Sequence, residues 1–290
     1  MALIDPCFDN IRDILRHEDV AVESLKEEWL HHPACLYENL KAQVSADAIF
    51  IVDPNNPTGF TLTGPVTSVA ETKRGFLELF RYAKDYNKLL IFDFCFASFM
   101  LPGTELGIFD IYQELEESGV SYIAIEDTGK TWPLQDAKVA MLKTSRDLRD
   151  EIYPIYTSYL LNVSPFVLSI VREYVEDSEQ DNFASVRNLL KRNRVIAKDV
   201  LAGSILQFQE PKSPVSVAWF KITDSRISAT ELQKAIRKAG TYVLPGTYFF
   251  WSDPQKGEQY IRIALARDTD MFEPAIRRFR AAADQFAQAL

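Results

Sequence analysis

Three short apolar runs separated by amphipathic stretches do most to limit what this 290-residue chain can become. Ala48-Ile-Phe-Ile-Val52 and Leu89-Leu-Ile-Phe92 show no alternation of polar and apolar residues, so each predicts a strand covered on both faces. Ser121-Tyr-Ile-Ala-Ile125 predicts a third, and Lys138-Val-Ala-Met-Leu142 a fourth. Between the first two, Val69 to Asn87 sets Phe76, Leu79, Phe80 and Ala83 at helical spacing, with lysine and arginine on the other side. A helical stretch around Ile111 to Glu117 precedes the third run. Strand, helix and strand in repetition predict an α/β fold, a mainly parallel sheet sandwiched by helices.

After Thr144 the pattern turns helical. Pro165 to Glu176 predicts a helix that starts at Ser164-Pro165, and Asn182 to Leu201 a longer basic one that stops at Ala202-Gly203. Strand-like Val215–Phe220, a helix from Ala229 to Ala239, strand-like Tyr260–Ala264 and a terminal helix from Met271 follow. The expectation is a large domain over residues 1–190 and a smaller α+β C-terminal domain over 191–290.

Charge and composition remove several classes of function. A net charge of −9 leaves no basic stripe to neutralise phosphates, which argues against a nucleic-acid partner. No apolar run reaches membrane-spanning length, and the N-terminus lacks the basic and apolar regions of a signal peptide. Cys7, Cys35 and Cys95 are scattered and odd in number, against a disulfide framework. The three histidines, with His31 and His32 adjacent, show no metal-ligand spacing. A cytoplasmic, metal-free protein is expected.

In an open parallel sheet, ligands bind beyond the carboxyl ends of the strands. Asp53-Pro-Asn-Asn-Pro-Thr-Gly59 follows the first run, Asp93 ends the second, and Lys130 stands a few residues past the third. Taken singly these are a turn, an N-cap and a solvated charge. Taken in order, on that topology, they face one crevice.

In that order they resemble the class I/II aminotransferases, the fold type I pyridoxal-phosphate-dependent enzymes, from about residue 3 to the C-terminus. Asp53–Gly59 resembles the family's Asn-Pro-Thr-Gly motif, and Val243-Leu-Pro-Gly246 with Tyr260-Ile-Arg-Ile263 its small-domain signature. The resemblance implies pyridoxal 5′-phosphate as cofactor, with Asn56 on its phenolic oxygen and Asp93 on its pyridine nitrogen. It implies that Lys130 is the Schiff-base and catalytic lysine and that Arg262 clamps the substrate carboxylate. These residue types suit such roles. A carboxylate favours the protonated ring nitrogen, an amine can both bond the cofactor and shuttle a proton, and guanidinium grips a carboxylate with a planar fork. The implied activity is transfer of an amino group between α-amino acid and 2-oxo acid substrates. A lyase or decarboxylase, or a non-catalytic interaction protein on the same scaffold, are the alternatives.

The chain departs from the family's pattern at named positions. Lys138 stands where the family has a phosphate-binding arginine, keeping the charge without the fork. Asp127 takes the place of a phosphate-binding serine or threonine, with Thr128 as its nearest substitute. Phe96 replaces a tyrosine, leaving Asn56 as the partner of the phenolic oxygen. The run Ala2–Phe8 resembles a strand that in the family follows an earlier strand and a glycine-bearing helix end, where backbone N–H groups hold phosphate. That N-terminal part, with the N-terminal arm and the ring-stacking residue, is expected to be missing. A shortened sheet would expose apolar surface, so a homodimer or a partner chain supplying the N-terminal part is expected to cover it.

Overall fold

The computed structural model describes residues 1–62, 69–100, 110–134 and 136–289. The first half runs β1 (Ala2–Asp5), α1 (Asp9–His17), β2 (Glu23–Lys26), α2 (Pro33–Gln43), β3 (Ala48–Val52), α3 (Val69–Asp85), β4 (Leu89–Asp93), α4 (Ile111–Ser118), β5 (Tyr122–Asp127) and β6 (Ala140–Thr144). Its six strands form one sheet in the order β2-β1-β3-β4-β5-β6, and the first five are parallel. β1 is buried along its whole length, and so is β3 from Ile49 to Val52, as strands covered on both faces must be. Leu36 and Leu40 of α2, with Phe76, Leu79 and Phe80 of α3, complete that core. α4 starts on the Asp110 carboxylate, which accepts from the Tyr112 and Gln113 N–H groups.

β6 runs antiparallel to β5. The reason is local: the chain closes on itself right after β5, where Thr128 N–H donates to the Val139 carbonyl at 3.0 Å. A parallel return would need a crossover helix, and this loop offers none among its described residues. β2 and α1 went unmarked by periodicity because β2 buries only Leu25 and α1 buries nothing.

The second half runs α5 (Arg149–Tyr159), α6 (Pro165–Gln180), α7 (Ala184–Leu201), β7 (Leu206–Gln209), β8 (Val217–Ile222), α8 (Ala229–Lys238), β9 (Leu244–Pro245), α9 (Pro254–Gly257), β10 (Tyr260–Ala264) and α10 (Thr269–Gln288). An antiparallel sheet, β7-β8-β10-β9, packs through Phe220, Ile261 and Ile263 against α7, α8 and α10. The 190/191 division expected from sequence falls inside α7, whose Leu190, Ala197 and Leu201 all join this second core. Phe96 and Phe99, just past β4, reach across into it as well.

Several large apolar side chains on β6 and the two helices that follow it stand exposed. Met141 on β6, Tyr153, Ile155 and Tyr159 on α5, and the following Leu161 and Phe166 are each more than half exposed. β6 is also the edge of its sheet, with no strand paired on its outer side among the described residues.

Candidate active site

The parallel register lines up three strand ends. Val52 of β3 lies opposite Asp93 of β4, which lies opposite Ile125 of β5. The next backbone bonds hold the chain together as it leaves the sheet: Asp53 N–H donates to the Asp93 carbonyl at 2.9 Å, and Phe94 N–H to the Ile125 carbonyl at 2.8 Å. The three segments singled out in the sequence therefore emerge side by side at the carboxyl end of the sheet.

Asp53 opens the turn and shapes it. Its carboxyl is buried and accepts from the Thr61 hydroxyl at 2.6 Å and the Leu62 N–H at 2.9 Å. Burial raises its pKa from 3.8 to about 7, against the lowering effect of those two bonds. Between these values the folded chain keeps a proton that the unfolded chain has released, so stability falls as pH rises from about 4 to about 7. The full span is worth on the order of 4 kcal/mol. Asp53→Asn mimics the protonated acid and should flatten this slope. Melting curves at pH 5 and pH 8 check it, and equal slopes for variant and wild type would refute it.

Gly59 ends the turn at φ +69°. A Cβ there would stand 2.3 Å from Pro211 Cβ, and the Gly59 carbonyl accepts from Ser213 N–H at 2.9 Å. Glycine is needed both for the left-handed backbone and for this close approach of the C-terminal half.

Inside the turn, Asn56 is buried and its Oδ1 accepts from Arg262 Nη1 at 3.2 Å. Arg262 projects from β10, and its guanidinium lies 5.0 Å from the centre of the Phe249 ring. Burial lowers its pKa, opposed by the negative charge of Asp9. Its Nε is buried with no hydrogen-bond partner among the described residues. Arginine only donates, so the Asn56 oxygen must face it, and the Asn56 NH2 group is left to donate elsewhere.

Asp93 is half-buried at the end of β4 and accepts from the Cys95 N–H at 2.9 Å. Burial pushes its carboxyl up; the Cys95 bonds and Lys130 oppose that, and the negative charge of Asp127 adds to it. No ion pair to Asp93 forms among the described residues. Lys130 is exposed, in a turn closed by Trp132 N–H to the Thr128 carbonyl at 3.3 Å. The hydroxyls of Thr131 and Ser98 share a short hydrogen bond that ties this turn to the segment after β4.

Phe8, which carries no site signal in the sequence, lies with its ring centre 5.6 Å from Lys130 Nζ. It follows β1, so its place beside Lys130 depends on strand order and not on any local pattern. Lys138 is exposed and passes over Gly129, where a Cβ would meet its side chain at 3.1 Å. Asp127 Oδ1 turns back to accept from the Gly129 N–H at 2.9 Å, and the buried Thr128 hydroxyl accepts from the Val139 N–H at 2.9 Å. Phe96 is buried against Phe99, with ring centres 5.7 Å apart.

A cavity of about 610 Å³ lies between the two sheets, lined by residues that include Asp5, Glu27, Thr58, Lys212, Trp219 and Tyr260. None of Asn56, Asp93, Lys130, Lys138 or Arg262 lines it. It adjoins the strand-end turn through Thr58, the only polar residue of that turn in its lining.

Comparison with known proteins bears on the family and the fold. The profile of the family described as aminotransferase class I and II matches residues 2–279. LL-diaminopimelate aminotransferase from Maridesulfovibrio salexigens is 25% identical over 236 residues, which are 79% of this chain and 55% of that protein. The chain thus spans little more than half the length of this curated relative. The solved structure of MppP, soaked with the product 2-ketoarginine, superposes with a TM-score of 0.84 at 30% identity, covering 98% of this chain and 75% of that one. LysN, the α-aminoadipate aminotransferase of Thermus thermophilus, gives a TM-score of 0.80 at 16% identity over 100% of this chain and 72% of its own, and shares the fold. With the family profile matched along nearly the whole chain, this protein belongs to the aminotransferase class I and II family.

Proposed function

We propose that this protein is a pyridoxal-phosphate-dependent aminotransferase that exchanges an α-amino acid and a 2-oxo acid. The observation that carries the proposal is the Asn56–Arg262 bond. It joins the turn of one sheet to the cationic strand of the other, at the end where Asp93 and Lys130 emerge.

The residues present fit the cofactor. A partly buried carboxylate with no ion pair among the described residues is costly, and a protonated ring nitrogen at Asp93 would relieve that cost. Pyridoxal phosphate, when bound, supplies a sink for the electron pair left as the substrate Cα loses its proton. Lys130 would be its covalent anchor and, once released by the substrate, the base that takes the proton from Cα and delivers it to the cofactor's C4′. Asp93 holds the proton on the ring nitrogen, and Asn56 gives an amide N–H to the phenolic oxygen. Arg262 presents its guanidinium fork, including the unpartnered Nε, to the substrate carboxylate. Lys138 supplies positive charge for the phosphate, while the Asp127 oxygen bound to Gly129 N–H is kept off that anion. Phe8 covers one face of the ring.

The substrate class follows the relatives only as a guide: their names carry 2-ketoarginine, LL-diaminopimelate and α-aminoadipate. The test is to incubate the protein with pyridoxal phosphate, 2-oxoglutarate and a panel containing arginine, LL-diaminopimelate and α-aminoadipate. Equal amounts of glutamate and a new 2-oxo acid are expected. Ammonia or carbon dioxide without glutamate would sink transamination and favour a lyase or a decarboxylase.

The exposed apolar side chains on β6, α5 and the start of α6 support a second part of the proposal. In the working protein they are covered by polypeptide, as a homodimer or by a chain supplying the N-terminal part. Light scattering on the same preparation should show an assembly larger than the monomer; stable monomers that bind no ANS would count against it. No helix among the described residues is long and apolar enough to cross a membrane. Three unpaired cysteines favour the cytoplasm as its location.

A further inference from the structure

We propose that Glu27 is a positioning residue whose buried carboxylate sets the turn carrying Asn56 and, through Asn56, aims Arg262. The proposal rests on the aminotransferase reading for its ligand but not for its geometry. Glu27 opens the short helical turn Glu27–Leu30 that follows the edge strand β2, two strands away from β3. It is only 8% exposed, yet its carboxylate collects three side-chain donors. Oε2 accepts from Asn55 Nδ2 at 2.7 Å and from the Thr58 hydroxyl at 2.5 Å. Oε1 lies 3.1 Å from His31 Nε2.

Asn55 and Thr58 flank Asn56, so one carboxylate oxygen holds the turn on both sides of it. The rest of the turn depends on those two residues. Asn55 N–H donates to the Phe60 carbonyl at 2.7 Å, Gly59 N–H to the Asn55 carbonyl at 2.8 Å, and Phe60 N–H to the Thr58 hydroxyl oxygen at 3.1 Å. Asn55 is fully buried, and its amide reaches one further acceptor, the Pro6 carbonyl at 2.8 Å. Two donors converging on one oxygen are held most firmly by a carboxylate, whose charge strengthens both bonds; a glutamine oxygen accepts both only without that charge and with its NH2 turned on His31 Nε2. Asn56 itself touches nothing of Glu27. What Glu27 controls is where the Asn56 oxygen stands when Arg262 meets it at 3.2 Å.

The full chain is compared as wild type, Glu27→Gln, Thr58→Val, Asn56→Ala and Glu27→Gln with Asn56→Ala. Hydrogen exchange is followed by mass spectrometry with and without pyridoxal phosphate, and kinetics are measured with L-arginine and L-α-aminoadipate. In Glu27→Gln the amides of Asn55, Gly59 and Phe60 should exchange faster, while β4 and the C-terminal sheet stay as they were. Thr58→Val removes one of the two bonds to Glu27 together with the acceptor of the Phe60 N–H, so Phe60 should exchange faster there as well, with a smaller change at Asn55 and Gly59. The kcat/KM of Glu27→Gln should drop ~10- to 100-fold, mainly through KM. This loss should vanish in the Asn56→Ala background, because a residue acting through another shows no separate effect once that other is gone. A purely structural role would give the same loss in both backgrounds and would overturn the proposal. So would unaltered exchange in the turn. If the wild type turns over neither amino acid, the aminotransferase reading fails, and the exchange data alone then decide on Glu27.

Discussion

Replacing Lys130 with alanine is expected to abolish the violet absorbance of the bound cofactor and to lower kcat by roughly 10⁴-fold or more. The size of the effect follows from two roles lost together, since the amine is both the covalent anchor and the carrier of the Cα proton. Folding should be nearly untouched, because the side chain is exposed and its one described ring contact is the 5.6 Å approach to Phe8. Such a contact is worth about 0.5–1 kcal/mol at an exposed site. Lys130→Arg separates charge from chemistry. It keeps the positive charge that opposes the rise of the Asp93 pKa, but guanidinium does not give up a proton near neutral pH. The arginine variant should therefore be as inactive as the alanine variant. A kcat within tenfold of wild type in either, or an unaltered spectrum, would remove Lys130 from the site.

Arg262→Ala should leave the cofactor's absorbance in place and lower kcat/KM for amino acids by about 10²- to 10³-fold. That corresponds to ~3–4 kcal/mol, within the cost of losing one partner of a desolvated, hydrogen-bonded charge pair. Arg262→Lys should fall between the two, since an ammonium restores charge at one point but cannot present two parallel N–H bonds. The sharper check is a primary amine that lacks the carboxylate. Its slow reaction should be equal in wild type and Arg262→Ala, because the clamp has nothing to hold. If the amine loses as much as the amino acid does, Arg262 acts on the fold and not on the substrate.

Local physics made part of this arrangement readable in the sequence. Ala48–Val52 begins and ends where the sequence placed it, because a run buried on both faces leaves only one state for those residues. The end of β4 at Asp93 was legible for the same reason, whereas β5, covered on one face only, runs past the expected Ile125 to Asp127. β2 was not legible, since an edge strand that buries only Leu25 carries no apolar run. The reversed direction of β6 was missed because strand patterns do not encode direction, and the deciding bonds join Thr128 to Val139. At the site, residue types were visible but partnerships were not. Asn56 and Arg262 lie 206 positions apart, and nothing near either predicts their bond. Phe8 and Glu27 were overlooked on similar grounds. One looks like the end of a core strand and the other like a surface charge, until the sheet order brings Phe8 to Lys130 and Glu27 to Asn55.

The Asn56–Arg262 bond has a thermodynamic consequence. Under the proposed roles, Asn56 serves the ring oxygen through its NH2 group and holds Arg262, the partner of the substrate carboxylate, through its Oδ1, so the two ligands are not bound independently. A carboxylate that draws Arg262 away from the Asn56 oxygen changes how firmly the same amide can donate to the ring. By linkage, whatever factor the amino acid exerts on cofactor affinity, the cofactor must exert on amino-acid affinity. The coupling is carried by one 3.2 Å contact and is absent in any variant that lacks either side chain. Given those proposed roles, retention of the cofactor and recognition of the acid group become one adjustable quantity, and a substitution that tunes either also moves the other.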